Sequence, residues 1–333
     1  MSRRLLFVHA HPDDEASKGA ATAARYVDEG VEVALITCTG GEAGDVLNPG
    51  AGVAEPEHMG SIRARELAEA VAAIGFTRTY GLGYLDSGYH EDPADVPEGT
   101  FARVPLDRPA REVAAVIRAE RPHVVVTYDE DGGYPHADHI MNHLVTMRGL
   151  ALAEDADADL GDQQGSVLPA WRVPKVYATL IFPPERIRAL RAALQERGIA
   201  SQFAERLAER LDRDPGWDPD AKVWCADHFE RRDAALRAHV TQIDPDGHWF
   251  EVPRDLEREV YPYEGYRLLR TDVPVQRPEH DLFAGLDTAA VDAAAVDAAA
   301  VDAAAVDAAD DRQWAPGDDT GSSGSPTSRA VAE

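Results

Sequence analysis

Four apolar runs separated by three helix-like segments fill the first 128 residues. That alternation limits the possible folds more than any other property of the chain. The runs are Leu5–Val8, Val31–Thr37 (VEVALIT), the weaker Thr77–Leu82, and HVVVTY at 123–128. Between them Ala16–Tyr26, Ser61–Ile74 and Pro109–Arg121 have helical composition or spacing. Ile62, Leu67, Val71 and Ile74 fall near one face, Val113, Val116 and Ile117 near another, and Pro109 takes a tolerated first-turn position. This order predicts an α/β, Rossmann-like, doubly wound and mainly parallel sheet with right-handed crossovers. Ligands of such sheets collect beyond the carboxyl ends of the strands.

Two charged clusters follow two of those strands. HAHPDDEASKG (9–19) comes after Leu5–Val8, and DGGYPHADH (131–139) after HVVVTY, so both belong to one edge of the sheet. Three carboxylates and two imidazoles between His9 and Glu15 are costly to gather without a cation. Joined, the clusters place His11, Asp13, Asp14, His136, Asp138 and His139 around one crevice. Neutral imidazole and carboxylate oxygen suit Zn²⁺, whose catalytic sites use three protein ligands and one open position. His11 and Asp14 lie three residues apart across a strand-to-helix turn, and His139 supplies a third ligand from the other loop. One Zn²⁺ per chain is the expectation. Asp13 is then left as general base for a water whose pKa such a metal lowers to roughly 7. Asp138 is expected to hold and charge His136, which stabilises an oxyanion or protonates a leaving amine, with Tyr134 as a second donor. His9 reads as a hydrogen-bonded core histidine, His143 as packing or support, and His228, His239 and His248 as structural.

At these two motifs the chain resembles the LmbE-like, GlcNAc-phosphatidylinositol de-N-acetylase family of zinc hydrolases, with its HPDD signature and later HxDH motif. The resemblance implies metal ligands at His11, Asp14 and His139, a general base at Asp13, and transition-state support from His136 with Asp138 and Tyr134. It extends over about residues 4–286 through TGGEAGDVLNP, ALRAHVTQIDP and PEHDLFAGL as well. Ser17, Lys18 and Gly19 after HPDDE match the branch that hydrolyses S-conjugates of a glucosaminyl-inositol thiol, a detoxification reaction. The alternative is the relative that deacetylates N-acetylglucosaminyl-inositol. By the same resemblance Lys18 reaches a polar group of the conjugate, and Asp45, Arg63 and Asp86 hold the sugar half. Ala137 stands where proline is usual, which touches loop stiffness alone.

The rest of the chain bounds the setting. Residues 154–170 read as a surface loop, Lys175–Phe182 as a further strand, Arg186–Leu211 as one or two helices and Asp233–Val240 as another. The expectation is one catalytic domain over 1–286, with 1–153 forming the core sheet and metal site and 154–286 a wall-forming extension. Residues 287–333 form a low-complexity tail in which AAVDA occurs four times between 289 and 308. Its five-residue period spirals Val291, Val296, Val301 and Val306 round a helix instead of lining them up, so marginal helix or disorder is expected. A net charge of −27 argues against nucleic acid and anionic membranes as partners; a small thiol–sugar conjugate is the partner that the resemblance implies. No run of 18 apolar residues exists, and Arg3 and Arg4 lead straight into the first strand. Cys38 and Cys225 form no metal or redox motif, so a reducing cytoplasm is the expected location.

Overall fold

β1 (Arg4–His9) lies inside a seven-stranded sheet in the computed structural model of the protein, which describes residues 2–52, 58–161, 168–213 and 216–295. The other strands are β2 (Glu32–Thr39), β3 (Arg78–Tyr84), β4 (Val124–Thr127), β5 (Lys175–Leu180), β6 (Ala221–Trp224) and β7 (Tyr263–Thr271). They run in the order β3-β2-β1-β4-β5-β7-β6. The first five are parallel, and β7 pairs antiparallel with both β5 and β6. The chain winds outward from β1 to β3, then crosses back to β4 on the other side of β1. The strand order therefore turns between β1 and β4, and a crevice opens beyond their carboxyl ends.

β1, β2, β4 and β5 were legible as apolar runs because both their faces are covered, whereas β3, at the sheet edge, is largely exposed and gives only a weak run. On one face Phe7, Leu35 and Val126 pack in a core that includes Ala20, Ala23, Ala24 and Ile74. These come from α2 (Ala20–Asp28) and α3 (Met59–Ile74). Leu6, Val8 and Val125 are equally buried on the other face, where α4 (Asp107–Glu120) and α5 (Ala137–Glu154) run. β7 escapes a pattern reading because most of its residues are only half-buried and three are charged, Glu264, Arg267 and Arg270. β6 is four residues long.

The single helix expected over 16–26 is two. α1 (Asp14–Ser17) stops and α2 begins after Gly19, whose φ is 107°. A Cβ at Gly19 would lie 2.7 Å from a ring carbon of Phe7, so only glycine lets the chain turn this close to β1. α6 (Pro184–Glu196), α7 (Gln202–Arg213), α8 (Phe229–Ala238) and α9 (Arg254–Val260) belong to the second half. Met1–Val291 makes one compact unit. The AAVDA copies beyond 295, and the tail to 333, lie outside the described residues. No helix among the described residues is long and apolar enough to cross a membrane.

The PEHDLFAGL stretch is a clasp. Lys175 Nζ on β5 is buried and donates to Glu279 Oε1 at 2.5 Å and to the Ala284 carbonyl at 2.8 Å. Tyr177 donates to the other Glu279 oxygen, and Tyr26 donates to Asp281 while accepting the Leu282 N–H. Replacing Lys175 with methionine leaves the Glu279 carboxylate buried without its cation, at a cost of about 3–5 kcal/mol. Urea denaturation of Lys175→Met should show a midpoint lowered to match, with the slope unchanged.

Candidate metal centre and its surroundings

The site begins where β1 ends. His11 N–H donates to Asp14 Oδ2 at 2.9 Å, closing a tight turn into α1. Asp13, between them, has φ 108°, a left-handed value uncommon outside glycine. The same Asp14 oxygen accepts the Tyr128 hydroxyl at 2.6 Å, and the other one takes the Lys18 ammonium. Burial alone would raise the Asp14 carboxyl. The Lys18 ammonium and the His11 contacts outweigh it and hold the group well below the usual carboxylate range.

The second half comes from the loop after β4. Gly132 has φ 73°, and a Cβ there would lie 2.6 Å from that of His139, so the loop can lie flat on the start of α5 only with glycine at this point. Its carbonyl oxygen is thereby brought to 2.9 Å from His139 Nδ1. A carbonyl can only accept, so Nδ1 carries the ring proton and Nε2 keeps a lone pair. That Nε2 is buried, has no hydrogen-bond partner among the described residues, and lies 3.5 Å from Asp14 Oδ2. Burial pushes the His139 pKa well down, so the ring stays neutral.

His11 is held in a matching way. Its Nε2 lies 3.1 Å from Asp138 Oδ2 and 3.4 Å from Asp86 Oδ1, while Nδ1 lies 3.7 Å from Asp14 Oδ2. Burial would lower its pKa, but Asp138, Asp14 and Asp86 raise it well above the usual histidine value. Three carboxylates thus favour positive charge at this point. Ligand atoms of His11, Asp14 and His139 all lie within 4.8 Å of one another. The bare His139 nitrogen and the ionised Asp14 fit a divalent cation of the Zn²⁺ type, with Asp138 orienting His11 from behind. Ligand atoms of a second grouping, His11, His136 and Asp138, also lie within 4.8 Å of one another. It fits less well, since Ser87 N–H and Oγ–H and His11 already occupy the Asp138 oxygens.

Asp13 is held in a clamp. Arg63, buried on α3, donates to Asp13 Oδ2 at 2.8 Å, to the Gly41 carbonyl at 3.0 Å and to the Pro12 carbonyl. From the other side Glu15 accepts the Asp13 N–H at 2.9 Å and is itself paired with His239 Nε2 at 2.5 Å. Burial raises the Asp13 pKa against the pull of Arg63, and the Asp14 charge adds to the rise. A carboxylate so placed is a better base than one free in water. Arg63, which the resemblance assigns to the sugar, here grips the base loop through both terminal nitrogens. His239 has a buried acidic partner 224 positions away in sequence, which no local spacing reveals.

The expected pairing of Asp138 with His136 is corrected. His136 caps α5, and its Nδ1 accepts the Asp138 backbone N–H at 3.2 Å, while the Asp138 carboxylate turns to His11. The two side chains stay near each other, but the Asp138 oxygens bond to His11 and Ser87. An accepting Nδ1 puts the ring proton on Nε2. Burial and then His11 lower the His136 pKa, so it is a neutral donor. Ala137 holds the first helical position, where proline's missing N–H would cost nothing, and its neighbours keep their places. The Tyr134 ring meets His139 edge-on at 4.5 Å, and burial with the Asp14, Asp13 and Asp86 charges keeps its hydroxyl protonated.

The remaining candidates scatter. Asp86 sits against His11, with its N–H held by Glu42 at 3.0 Å. Asp45 is exposed, its loop tied down by Gln242 Nε2 donating to its carbonyl at 3.0 Å. Lys18 is engaged by Asp14 and by Ser17 Oγ at 3.2 Å, so it supports a ligand and also lines the adjoining cavity. Sequence reasoning passed over Tyr128 and Ser87. Tyr128 links His9, the Ala10 N–H and Asp14 through one hydroxyl, and His9, with its pKa lowered by burial to about 4, is a neutral part of the core. A polar aromatic closing the HVVVTY strand was the available signal. His143 Nδ1 braces the Tyr128 carbonyl at 2.8 Å. Cys38 is buried, its pKa raised by that burial, and it donates to Asn142.

Residues 6–149 match the family described as PIG-L, GlcNAc-PI de-N-acetylase. A mycothiol S-conjugate amidase of Streptomyces coelicolor is 46% identical over 293 residues, covering 85% of this chain and 97% of its own. A 1D-myo-inositol 2-acetamido-2-deoxy-alpha-D-glucopyranoside deacetylase of Geodermatophilus obscurus is 43% identical over 299 residues, covering 86% and 98%. Among solved structures, the N,N'-diacetylchitobiose deacetylase of Pyrococcus horikoshii superposes with a TM-score of 0.55 at 19% identity, over 80% of this chain and 84% of the other. At that identity the likeness is one of fold.

Proposed function

Because the chain belongs to the PIG-L, GlcNAc-PI de-N-acetylase family of LmbE-like amide hydrolases, we propose that it cleaves an amide on a glucosamine nitrogen and that its substrates are mycothiol S-conjugates. The observation that carries the chemistry is the open His139 Nε2 facing Asp14 and His11, with the neighbouring Asp13 carboxylate held on Arg63. The substrate rests on the 46% identical amidase, which this chain matches over nearly its whole length. When bound by His11, Asp14 and His139, a Zn²⁺ ion polarises the amide carbonyl and lowers the pKa of water to roughly 7.

The chain's own groups do the rest. Asp13 takes a proton from the attacking water as its oxygen bonds to the carbonyl carbon. The Nε2–H of His136 and the hydroxyl of Tyr134 donate to the carbonyl oxygen while negative charge builds there. Asp13 then passes its proton to the sugar nitrogen as the carbon–nitrogen bond breaks. This leaves glucosaminyl-inositol with a free amine, and an N-acetylcysteine S-conjugate with a new carboxylate. His136, neutral and without a carboxylate partner, acts as a hydrogen-bond donor, so a single residue both removes and returns the proton.

The second reading, deacetylation of N-acetylglucosaminyl-inositol, has the 43% identical relative in its favour and attacks an amide on the same nitrogen. Turnover of the bimane conjugate of mycothiol, measured beside that of the acetylated sugar, separates the two. The expected kcat/KM ratio favours the conjugate by about tenfold or more. A ratio reversed in favour of the acetylated sugar would make the deacetylase reading the correct one.

A further inference from the structure

We propose that a cavity of about 490 Å³ beside the metal centre holds the substituent carried on the substrate sulfur, and that it selects apolar, aromatic or branched alkyl thioethers. The inference rests on the amidase reading above. Lys18 and Tyr134 form the end of the cavity next to the metal centre, Leu180 and Phe182 its wall at the end of β5, and Arg210 and Trp217 its far side.

Sheet order assigns the cavity to the acyl side of the amide. The metal candidates follow β1 and β4, in the middle of the parallel set. Asp45 and Asp86, which the resemblance implies for the sugar, follow β2 and β3 to one side, whereas the cavity opens beside β5 on the other. An amide lying across the centre with its sugar over β2 and β3 sends its acyl group toward β5. Size supports the same assignment. Pockets for whole small molecules measure about 300–1,000 Å³, far more than the methyl of an acetyl group requires. A cavity of this volume at the acyl side suits a cysteinyl arm with a large group on its sulfur.

The walls mix aromatic and aliphatic side chains (Tyr134, Leu180, Phe182, Trp217) with the charged Asp129 and Asp131, so a substituent is met by rings and alkyl groups on one part of the lining and by charge on another. Trp217 is 55% exposed and Tyr134 40%, and both rings line this cavity. The Arg267 guanidinium lies 4.0 Å from the Trp217 ring centroid and is held by Glu130 at 2.9 Å, which fixes the ring as a wall. Stacking on such a ring is available to aromatic substituents and contact with it to alkyl ones.

Trp217→Ala removes the far wall and Leu180→Trp fills the near one. Each variant is to be assayed on the bimane and S-methyl conjugates of mycothiol and on N-acetylglucosaminyl-inositol. The dissociation constant of S-bimane N-acetylcysteine on metal-free protein gives a readout apart from turnover. In both variants kcat/KM for the bimane conjugate should fall about tenfold relative to that for the S-methyl conjugate, mainly through KM, with binding of the bimane product weakened in step. Turnover of the acetylated sugar reports whether each variant is folded. An unchanged bimane-to-methyl ratio in both folded variants overturns the inference while leaving the amidase reading intact. A wild-type protein that deacetylates the sugar but cleaves no conjugate overturns the amidase reading and the inference with it.

Discussion

Asp13→Asn is expected to lower kcat by about 10²–10⁴-fold, the usual contribution of a positioned acid–base group, while the bound zinc stays at one per chain. The separation of the two effects follows from geometry. Asp13 directs its carboxylate to Arg63 at 2.8 Å, and the ligand set of His11, Asp14 and His139 closes without it. Asparagine keeps the size and one oxygen for Arg63, and it tolerates the left-handed backbone at φ 108° better than any residue other than glycine. The backbone N–H still reaches Glu15, so the turn that carries Asp14 is preserved. What is lost is the basic oxygen that removes a proton from water and returns it to the amine. Steady-state kinetics beside metal analysis checks this, and zinc lost in proportion to activity would instead make Asp13 a ligand.

Removing a ligand should do the reverse, and in a graded way. Losing a partner that only orients a metal-bound histidine costs about 10–100-fold in metal affinity. Asp138→Asn, which weakens the support of His11 at 3.1 Å, is expected in that range. His139→Ala deletes the lone pair nearest Asp14 and should exceed 100-fold, leaving a protein that purifies without zinc and without activity. Chelation of the wild type should abolish turnover and added Zn²⁺ restore it. Competition with a chromophoric chelator measures all three affinities, and an order with Asp138→Asn weaker than His139→Ala would place the metal at the His11, His136 and Asp138 grouping.

The parallel half of the fold and the meeting of the two loops were readable from sequence for one physical reason. Strands covered on both faces are continuous apolar runs, and a charged cluster directly after such a run has to lie at the sheet's carboxyl edge. What sequence hid is of another kind. Asp138 and His136 look like partners by spacing, but a helix start turns one inward to His11 and makes the other a cap. Arg63 looks like a surface charge until Pro12, Asp13 and Gly41 are found around it. The Glu15–His239 pair joins the first helix to the end of α8, and only folding brings such residues together. β6 and β7 were missed because a short strand and a half-exposed, charged one leave no apolar run.

Diffraction at the zinc absorption edge from crystals of the zinc-loaded protein tests the shared-cation site most directly. A single anomalous peak per chain is expected, about 2 Å from one nitrogen each of His11 and His139 and from an Asp14 oxygen, with the Asp13 carboxylate outside bonding distance. A peak that His139 does not reach, or one that Asp13 ligates, would contradict the joining of the two loops over one ion with the neighbouring aspartate left free.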